Sequence, residues 1–257
     1  MKQVELNKDV LYRLIGEFHY PLSNEMYQSP TYWKSRVQSV THNKFISSIR
    51  KNNILYIKYV LSENLLNPST NNNEAILLAT HKGHIEIIKL LLKDKRIDPN
   101  NNNEVIRWSS RKGHTEVVRF LLGYERVDPS FNNNIAIKEA VREGHIEIIR
   151  LLLEDKRVDP SDDNNYAIKW ASRYGHTEIV RLLLEDERVD PSADDNYAIK
   201  WASNSGHTGV IRLLLEDGRV DPSNNNNAPI RFARINNHPE IVRLLLEDGR
   251  ADPNVTY

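Results

Sequence analysis

A histidine returns at a nearly constant interval along most of this chain, and this periodicity limits the possible folds more than any other feature. The series is His84, His114, His145, His176, His207 and His238, with one spacing of 30 residues and then four of 31. Residues 165–191 and 196–222 are nearly identical copies around two of these histidines. A fixed period of this length predicts a protein built from stacked structural repeats.

Each repeat is predicted to be a helix–turn–helix unit followed by a polar loop. In the copy at residues 165–191, Gly175 is placed to end a first helix, because glycine readily takes the left-handed conformation. In the second helix, Ile179, Leu182 and Leu183 recur at helical spacing, and Asp190-Pro191 ends it. An asparagine before the first helix is predicted to cap it. The asparagines in this slot are Asn73, Asn103, Asn134, Asn165, Asn196 and Asn227.

One helix pair cannot bury its apolar stripe alone, whereas stacked pairs can, so neighbouring repeats must pack against each other. Residues 42–68 form a degenerate first copy, in which Asn52-Asn53 replaces the Gly-His pair. Six clearer copies follow. The sequence therefore predicts an all-α, helix–turn–helix solenoid of about seven repeats.

These copies resemble the ankyrin repeat. Gly175-His176-Thr177-Glu178-Ile179-Val180 and the following Leu183-Leu184 match the second half of that family's pattern, and Tyr166 to Ser172 stand in the place of the first half. The resemblance covers about residues 41–257. It implies an array that binds partners in a concave groove lined by the positions just before Gly-His. The loop after Asp190-Pro191 lacks the family's turn glycine, so we expect a blunt turn in place of its projecting β-hairpin.

Residues 1–40 differ from the repeats and form a separate N-terminal segment. Val10, Leu11, Leu14, Ile15 and Phe18 predict an amphipathic helix, and Trp33, Val37 and Val40 a second one. One interpretation is a helical cap over the first repeat, which repeat arrays require at their ends. The alternative is an F-box-like segment, because an early amphipathic helix followed by a tryptophan is similar to that family. This resemblance implies a Skp-type adaptor of a cullin ubiquitin ligase as partner.

Composition excludes several function classes. The chain has 35 basic and 35 acidic residues, so no net charge attracts it to nucleic acid or membranes. It has no cysteine, and the recurrent His-x-Glu pairs therefore lack the thiolate ligands of a zinc deaminase. The Asn- and Asp-rich loops lack the glycine and glutamate of a calcium loop. We find no nucleophile–base pair or phosphate loop, and we expect no enzymatic activity, cofactor, metal or membrane span.

An aromatic side chain occupies one slot, six residues before the histidine, in four copies: Trp108, Trp170, Trp201 and Phe232. We expect these side chains to pack between repeats, because buried aromatic rings contribute a large apolar area. Regularly spaced aromatic residues beside basic ones can also stack on bases, which leaves a nucleic-acid binder as a remote alternative.

The predicted partner-binding residues lie on the first helix of each unit. The two slots before Gly-His vary between copies, and basic residues recur seven before the histidine on the same helix face. The candidates are His81, Lys82, Arg111, Lys112, Arg142, Glu143, Arg173, Tyr174, Lys138, Lys169 and Lys200.

This basic column predicts a protein partner with an acidic surface. The protein would be a non-enzymatic interaction scaffold, or an adaptor that recruits substrates through the repeats and a ubiquitin ligase through residues 1–40. We expect a monomer in the cytoplasm. The Asn-, Ile- and Lys-rich style of the copies is similar to ankyrin proteins of large DNA viruses that infect amoebae, which would make it the host cytoplasm.

Overall fold

The computed structural model describes residues 40–97 and 104–254, and this part of the chain is all-helical, with fourteen helices and no strand. It confirms the predicted fold class. The chain divides into two compact units, Met1–Asp98 and Pro99–Tyr257. Both predicted helices of the N-terminal segment lie outside the described residues except for Val40, which is not helical. The role of this segment as a cap or as an F-box-like segment therefore stays a prediction.

The helices come in consecutive pairs that follow the sequence repeats. In the first unit the helices are α1 (His42–Arg50), α2 (Ile54–Ser62), α3 (Thr70–Lys82) and α4 (Ile85–Lys93). In the second unit they are α5 (Glu104–Lys112), α6 (Thr115–Leu122), α7 (Phe131–Glu143), α8 (Ile146–Glu154), α9 (Asp162–Tyr174), α10 (Thr177–Leu184), α11 (Ala193–Ser205), α12 (Thr208–Asp217), α13 (Asn224–Ile235) and α14 (Pro239–Asp248).

Within each unit, first helices pack against first helices and second helices against second helices. In the second unit, α5, α7, α9, α11 and α13 therefore form one layer, and α6, α8, α10, α12 and α14 form the other. The apolar stripes meet between the layers, where Ile168, Ile179 and Leu183 are almost completely buried. This packing supplies the apolar burial that a single pair lacks.

The Gly-His pairs interlock neighbouring repeats. Gly175 ends α9 in the left-handed conformation (φ 76°), as the sequence predicts. The ring of His207, from the next repeat, lies directly over this glycine, and its Nε2 donates to the carbonyl oxygen of Arg173 at 2.9 Å. His145 and His238 make the same bond to the carbonyls of Arg111 and Asn204. The histidine therefore joins repeats as well as starting a helix.

The prediction that the asparagines cap the first helices is wrong for the five described ones. In α3, α7, α9, α11 and α13 the right-handed part of the helix follows a left-handed turn of three Asn or Asp residues. In α9 these are Asp163, Asn164 and Asn165, with φ between 54° and 60°. The same turn occurs at residues 71–73, 132–134, 194–196 and 225–227. Asn and Asp tolerate this conformation better than other residues with a side chain. The turn stands where the sequence predicts a blunt connection.

In the second unit, the last asparagine of each of the four described turns is buried and makes a hydrogen bond to the next repeat. Asn134, Asn165, Asn196 and Asn227 accept a hydrogen bond at their Oδ1 from the backbone amide of an aspartate 25 residues later, at 2.7–2.9 Å. Their side chains are 4–8% exposed. A left-handed backbone turns the amide group towards the neighbouring loop, which explains why it does not cap its own helix.

A second set of contacts between repeats comes from arginines in the loops. Arg188 makes a two-point ion pair with Asp186, and its Nη1 donates to the Val158 carbonyl of the preceding repeat at 2.8 Å. Arg157, Arg219 and Arg250 repeat this arrangement with Asp155, Asp217 and Asp248. These arginines satisfy carbonyl groups that the loops leave without a helical partner.

Candidate partner-binding surface

The predicted binding residues of the second unit lie along one side of helices α5, α7, α9 and α11, which we call the first-helix face. It consists of Arg111, Lys112, Lys138, Arg142, Glu143, Lys169, Arg173, Tyr174 and Lys200. Lys112, Glu143 and Tyr174 are exposed, and the three arginines are half-buried. His81 and Lys82 are exposed at the end of α3 in the first unit. Most candidates are therefore available to a partner.

Glu139 places a negative charge within the predicted column of basic residues on the first helices. Its carboxylate is only 4% exposed, and it lies 2.8 Å from Arg142 Nη2, 3.1 Å from Arg107 Nε and 4.0 Å from Arg111 Nε. Glu143 adds contacts to Arg142 at 3.1 Å and to Arg111 at 3.5 Å. The positive charges of Arg111 and Arg142 are thus offset within the protein.

Hydrogen bonds to these carboxylates shift the pKa of the arginines. Burial alone lowers the pKa of Arg142, but the hydrogen bond to Glu143 and the charge of Glu139 outweigh it and raise the pKa overall. At Arg107 burial also acts downwards, and hydrogen bonds to Glu139 and Glu104 again raise the pKa. Both guanidinium groups therefore remain charged and bound to their carboxylates at physiological pH.

Lys138 lies deeper than the sequence indicates. It is 8% exposed, its Nζ is 5.3 Å from the centre of the Tyr166 ring, and it pairs with Asp163 at 3.1 Å. Burial raises the pKa of Tyr166, so its hydroxyl stays protonated. Together with Glu139 and Arg142 these groups line a cleft of about 290 Å³. Lys138 holds the wall of this cleft and offers little charge to a partner.

Lys169 and Lys200 occupy equivalent positions with different neighbours. Lys169 Nζ lies 3.2 Å from Asp194, which is 25 residues further along the chain. The residue 25 positions after Lys200 is Asn225, which carries no charge. Lys200 accordingly forms no ion pair with any described residue, and its charge is available on the surface.

Arg173 is held by aromatic groups. Its Cζ lies 4.7 Å from the Trp170 ring centre and 4.5 Å from that of Trp201, and Nη1 donates to the Tyr197 hydroxyl at 3.1 Å. A guanidinium over an indole ring is attracted by the electrons of the ring face. Among the described residues, Arg173 has no carboxylate partner.

The aromatic slot follows the prediction only in part. Trp170 contacts Tyr197 of the next repeat, with ring centres 6.4 Å apart, so these rings do connect repeats. Trp108, Trp170, Trp201 and Phe232 are nevertheless half-buried, and they take part in the surface. The fifth member of the slot is Glu139, which sequence analysis did not select. Its signal was a single acid in a position that is aromatic in the four other copies of the second unit.

Two further kinds of site are absent from the described ranges 40–97 and 104–254. No three His, Asp or Glu side chains there come together as a group that could hold a metal ion. No helix in those ranges is both long and apolar enough to cross a membrane.

Comparison with known proteins adds one match. The family model described as ankyrin repeats (3 copies) matches residues 45–133, 106–195 and 169–257, which together extend from the first described helix pair to the last residue of the chain. No curated protein matches the chain significantly.

Proposed function

Because the chain belongs to the ankyrin repeat family, whose repeats are in general protein–protein interaction modules, we propose that it is a non-enzymatic scaffold that binds a partner protein on the first-helix face. A fold does not define a function, so the proposal depends on that surface. The exposed side chains of that surface are charged, polar and aromatic groups, which can recognise a protein partner.

The observation that supports this proposal best is the contrast between constant and variable slots. The core slots hold nearly invariant residues, such as Ala167, Ala198 and Ala136, all at most 2% exposed. The slot two before the histidine is exposed in every described copy of the second unit and changes each time. Its residues are Lys112, Glu143, Tyr174, Ser205 and Asn236. A constant framework with a variable exposed position suits recognition of a specific partner.

Charge favours a partner with an acidic surface at one end of the first-helix face. Arg111 and Arg142 are offset by Glu139 and Glu143, whereas Arg173 and Lys200 have no carboxylate partner among the described residues. An acidic partner would therefore gain the most binding energy from Arg173 and Lys200. Charge reversal at Arg142 is a poor test, since a new carboxylate beside buried Glu139 would destabilise the fold itself.

Affinity capture from a eukaryotic lysate tests the proposal. The full chain and the double variant Arg173→Gln/Lys200→Gln serve as baits, and bound proteins are identified by mass spectrometry. Arg150→Gln/Arg181→Gln is the matched control, because it removes the same charge from the exposed side of the second helices. We expect proteins that bind the wild type and the control but not the first variant.

Two results would contradict the proposal. Capture of the same proteins by all three baits would show that the first-helix face does not select them. Absence of any protein captured by the wild-type chain above a bead control would argue against an interaction scaffold altogether. Circular dichroism of each bait must show the wild-type helix content, so that loss of capture is not loss of folding.

A further inference from the structure

The cluster around Arg173 joins side chains of α9 and α11, which belong to neighbouring repeats. Trp170 lies three residues earlier on α9, and Trp201 and Tyr197 come from α11 of the next repeat. The guanidinium lies over both indole rings, and one of its N–H groups donates to the Tyr197 hydroxyl. A stacked, planar guanidinium loses little rotational freedom when it binds a further group.

Comparison with Arg111 shows what is unusual here. The residues 28 and 32 positions after Arg111 are Glu139 and Glu143, and both contact it. The residues 28 and 32 positions after Arg173 are Trp201 and Ser205. The same slot thus changes from an arginine whose charge is offset by two acidic neighbours to an arginine that lies over two indole rings. Among the described residues, only the second arginine has no carboxylate beside it.

The cluster also has the composition of a binding hot spot. Trp, Tyr and Arg are the residues most enriched among those that dominate interface energies. Tyr174 follows Arg173 directly, and 41% of its surface is exposed, which is high for so large a side chain. Trp170 and Trp201 are half-buried beside it. An incoming apolar side chain could pack on these rings, next to the Arg173 guanidinium, which has no carboxylate partner in the described part of the chain.

We propose, on the basis of the function proposed above, that Arg173 with Trp170, Tyr174, Tyr197 and Trp201 is the main anchor of the first-helix face. The occupant is a protein segment that places an Asp or Glu carboxylate on Arg173 and a neighbouring aromatic or large aliphatic side chain on the rings. A carboxylate matches the forked donors of a guanidinium in geometry and in charge.

Charge around the cluster favours a protein carboxylate over a nucleic-acid backbone. Asp194 and Asp195 are exposed on the left-handed turn at the start of α11, and Glu143 is exposed on α7. A chain of phosphates extending along the face would meet these acids, whereas a single carboxylate need meet only Arg173. A bound nucleic acid would also require several basic contacts in a row.

A random peptide library displayed on yeast and sorted with the full chain tests the anchor. We expect enriched peptides to carry Asp or Glu beside an aromatic or large aliphatic residue. For one such peptide, Arg173→Gln and Arg173→Lys should each weaken the Kd by about tenfold or more, as expected for a hot-spot residue. Arg111→Gln, whose charge is already offset, should change the Kd by less than about threefold, as expected for a near-neutral contact.

Several outcomes would overturn the anchor. They are a library without enrichment, enriched peptides without a carboxylate, a Kd unchanged by Arg173→Gln, or displacement of the peptide by single-stranded oligo-dT. The wild-type unfolding midpoint in each variant shows that the fold is intact. The proposed function is judged separately by the lysate experiment, to which Arg173→Gln alone is added as a fourth bait. Capture that survives Arg173→Gln but is lost with Arg173→Gln/Lys200→Gln would reject the anchor and leave the first-helix face as the binding surface.

Discussion

The backbone amide of Asp190 donates a hydrogen bond of 2.7 Å to the side-chain oxygen of Asn165, which lies in the preceding repeat. Asn165 itself is in a left-handed turn (φ 60°) and 8% exposed. This residue therefore has two roles: it adopts the left-handed backbone conformation of the turn, and its side chain makes a contact between repeats. The three equivalent asparagines in the second unit, Asn134, Asn196 and Asn227, make the same bond, which is therefore a regular part of this array.

Replacing Asn165 with glycine separates these two roles. Glycine keeps the left-handed backbone but removes the acceptor, so the partly buried Asp190 amide loses its partner. We expect a loss of about 1–2 kcal/mol in the free energy of unfolding. Urea denaturation followed by circular dichroism measures it.

Asn164→Gly is the matched control for that change. Asn164 has the same left-handed conformation (φ 54°), but its side chain is exposed and makes no hydrogen bond with a described residue. Relief of the left-handed strain and the greater freedom of glycine in the unfolded chain oppose each other, so the net change should be within about 1 kcal/mol. Equal effects of the two variants would argue against the asparagine contact.

Gly175→Ala should be far more damaging than Gly218→Ala. Both glycines have a left-handed backbone, with φ near 76° and 80°. A methyl group at Gly175 would lie 2.5 Å from His207 Nδ1, whereas one at Gly218 meets nothing within 4 Å. We expect a cost of about 1–2 kcal/mol at Gly218 from the backbone alone, and about 1–3 kcal/mol more at Gly175 from overpacking.

Thermal and urea unfolding of these two alanine variants gives the comparison. A further variant, His207→Ala in the Gly175→Ala background, removes the obstructing ring. If the clash with His207 is the cause, the two substitutions will not be additive, because the alanine methyl costs less once the ring is gone. Strict additivity would reject the interlock as the explanation.

Ser172→Ala and Ser203→Ala should stabilise the protein. Both side chains are fully buried, and their hydroxyl groups have no hydrogen-bond partner among the described residues. Alanine removes the unsatisfied hydroxyl and is smaller by only one oxygen atom, so we expect a gain of about 1 kcal/mol for each substitution. Ser109→Ala is the control, because the Ser109 hydroxyl donates to the Val105 carbonyl at 2.7 Å. A loss of stability at Ser172 and Ser203 would contradict this prediction.

We predict that the protein loses stability in acid, because the loop arginines pair with aspartates that become protonated there. The hydrogen bond from Arg188 lowers the pKa of Asp186, and equivalent arginines lower the pKa of Asp155, Asp217 and Asp248. A lowered folded-state pKa stabilises the fold above the unfolded value, which is about 4 for aspartate, and the contribution disappears as pH falls through the lower, folded-state pKa. Urea midpoints should therefore be level near neutral pH and fall below about pH 4.

Asp186→Asn and Arg188→Gln should each reduce the dependence of the urea midpoint on acid pH by the contribution of one ion pair. The double variant should reduce it no further, because either change alone already breaks the same ion pair. Midpoints measured across the acid range give the slope for each variant. Unchanged slopes in both single variants would show that the pair does not contribute to the pH dependence.

Much of the fold was predictable from sequence because it depends on local patterns. The histidine period indicated the repeats, Gly175 the end of a helix, and the spacing of Ile179 and Leu183 the buried stripe. The binding surface was predictable only as a set of positions. That Lys112, Glu143 and Tyr174 are exposed follows from helix periodicity. Their charge environment does not, because it involves residues of other repeats.

The sequence by itself determined which residues are repeated, where helices end and which side chains enter the core, since these depend on neighbours within a few positions. Tertiary structure alone decided the roles of Asn165, Glu139 and Arg173. Each makes its decisive contacts with residues about 25–32 positions away. An asparagine before a helix is compatible with a cap or with a left-handed turn. Only the distance to the neighbouring repeat decides between them, and that distance comes from the packing of one helix pair on the next.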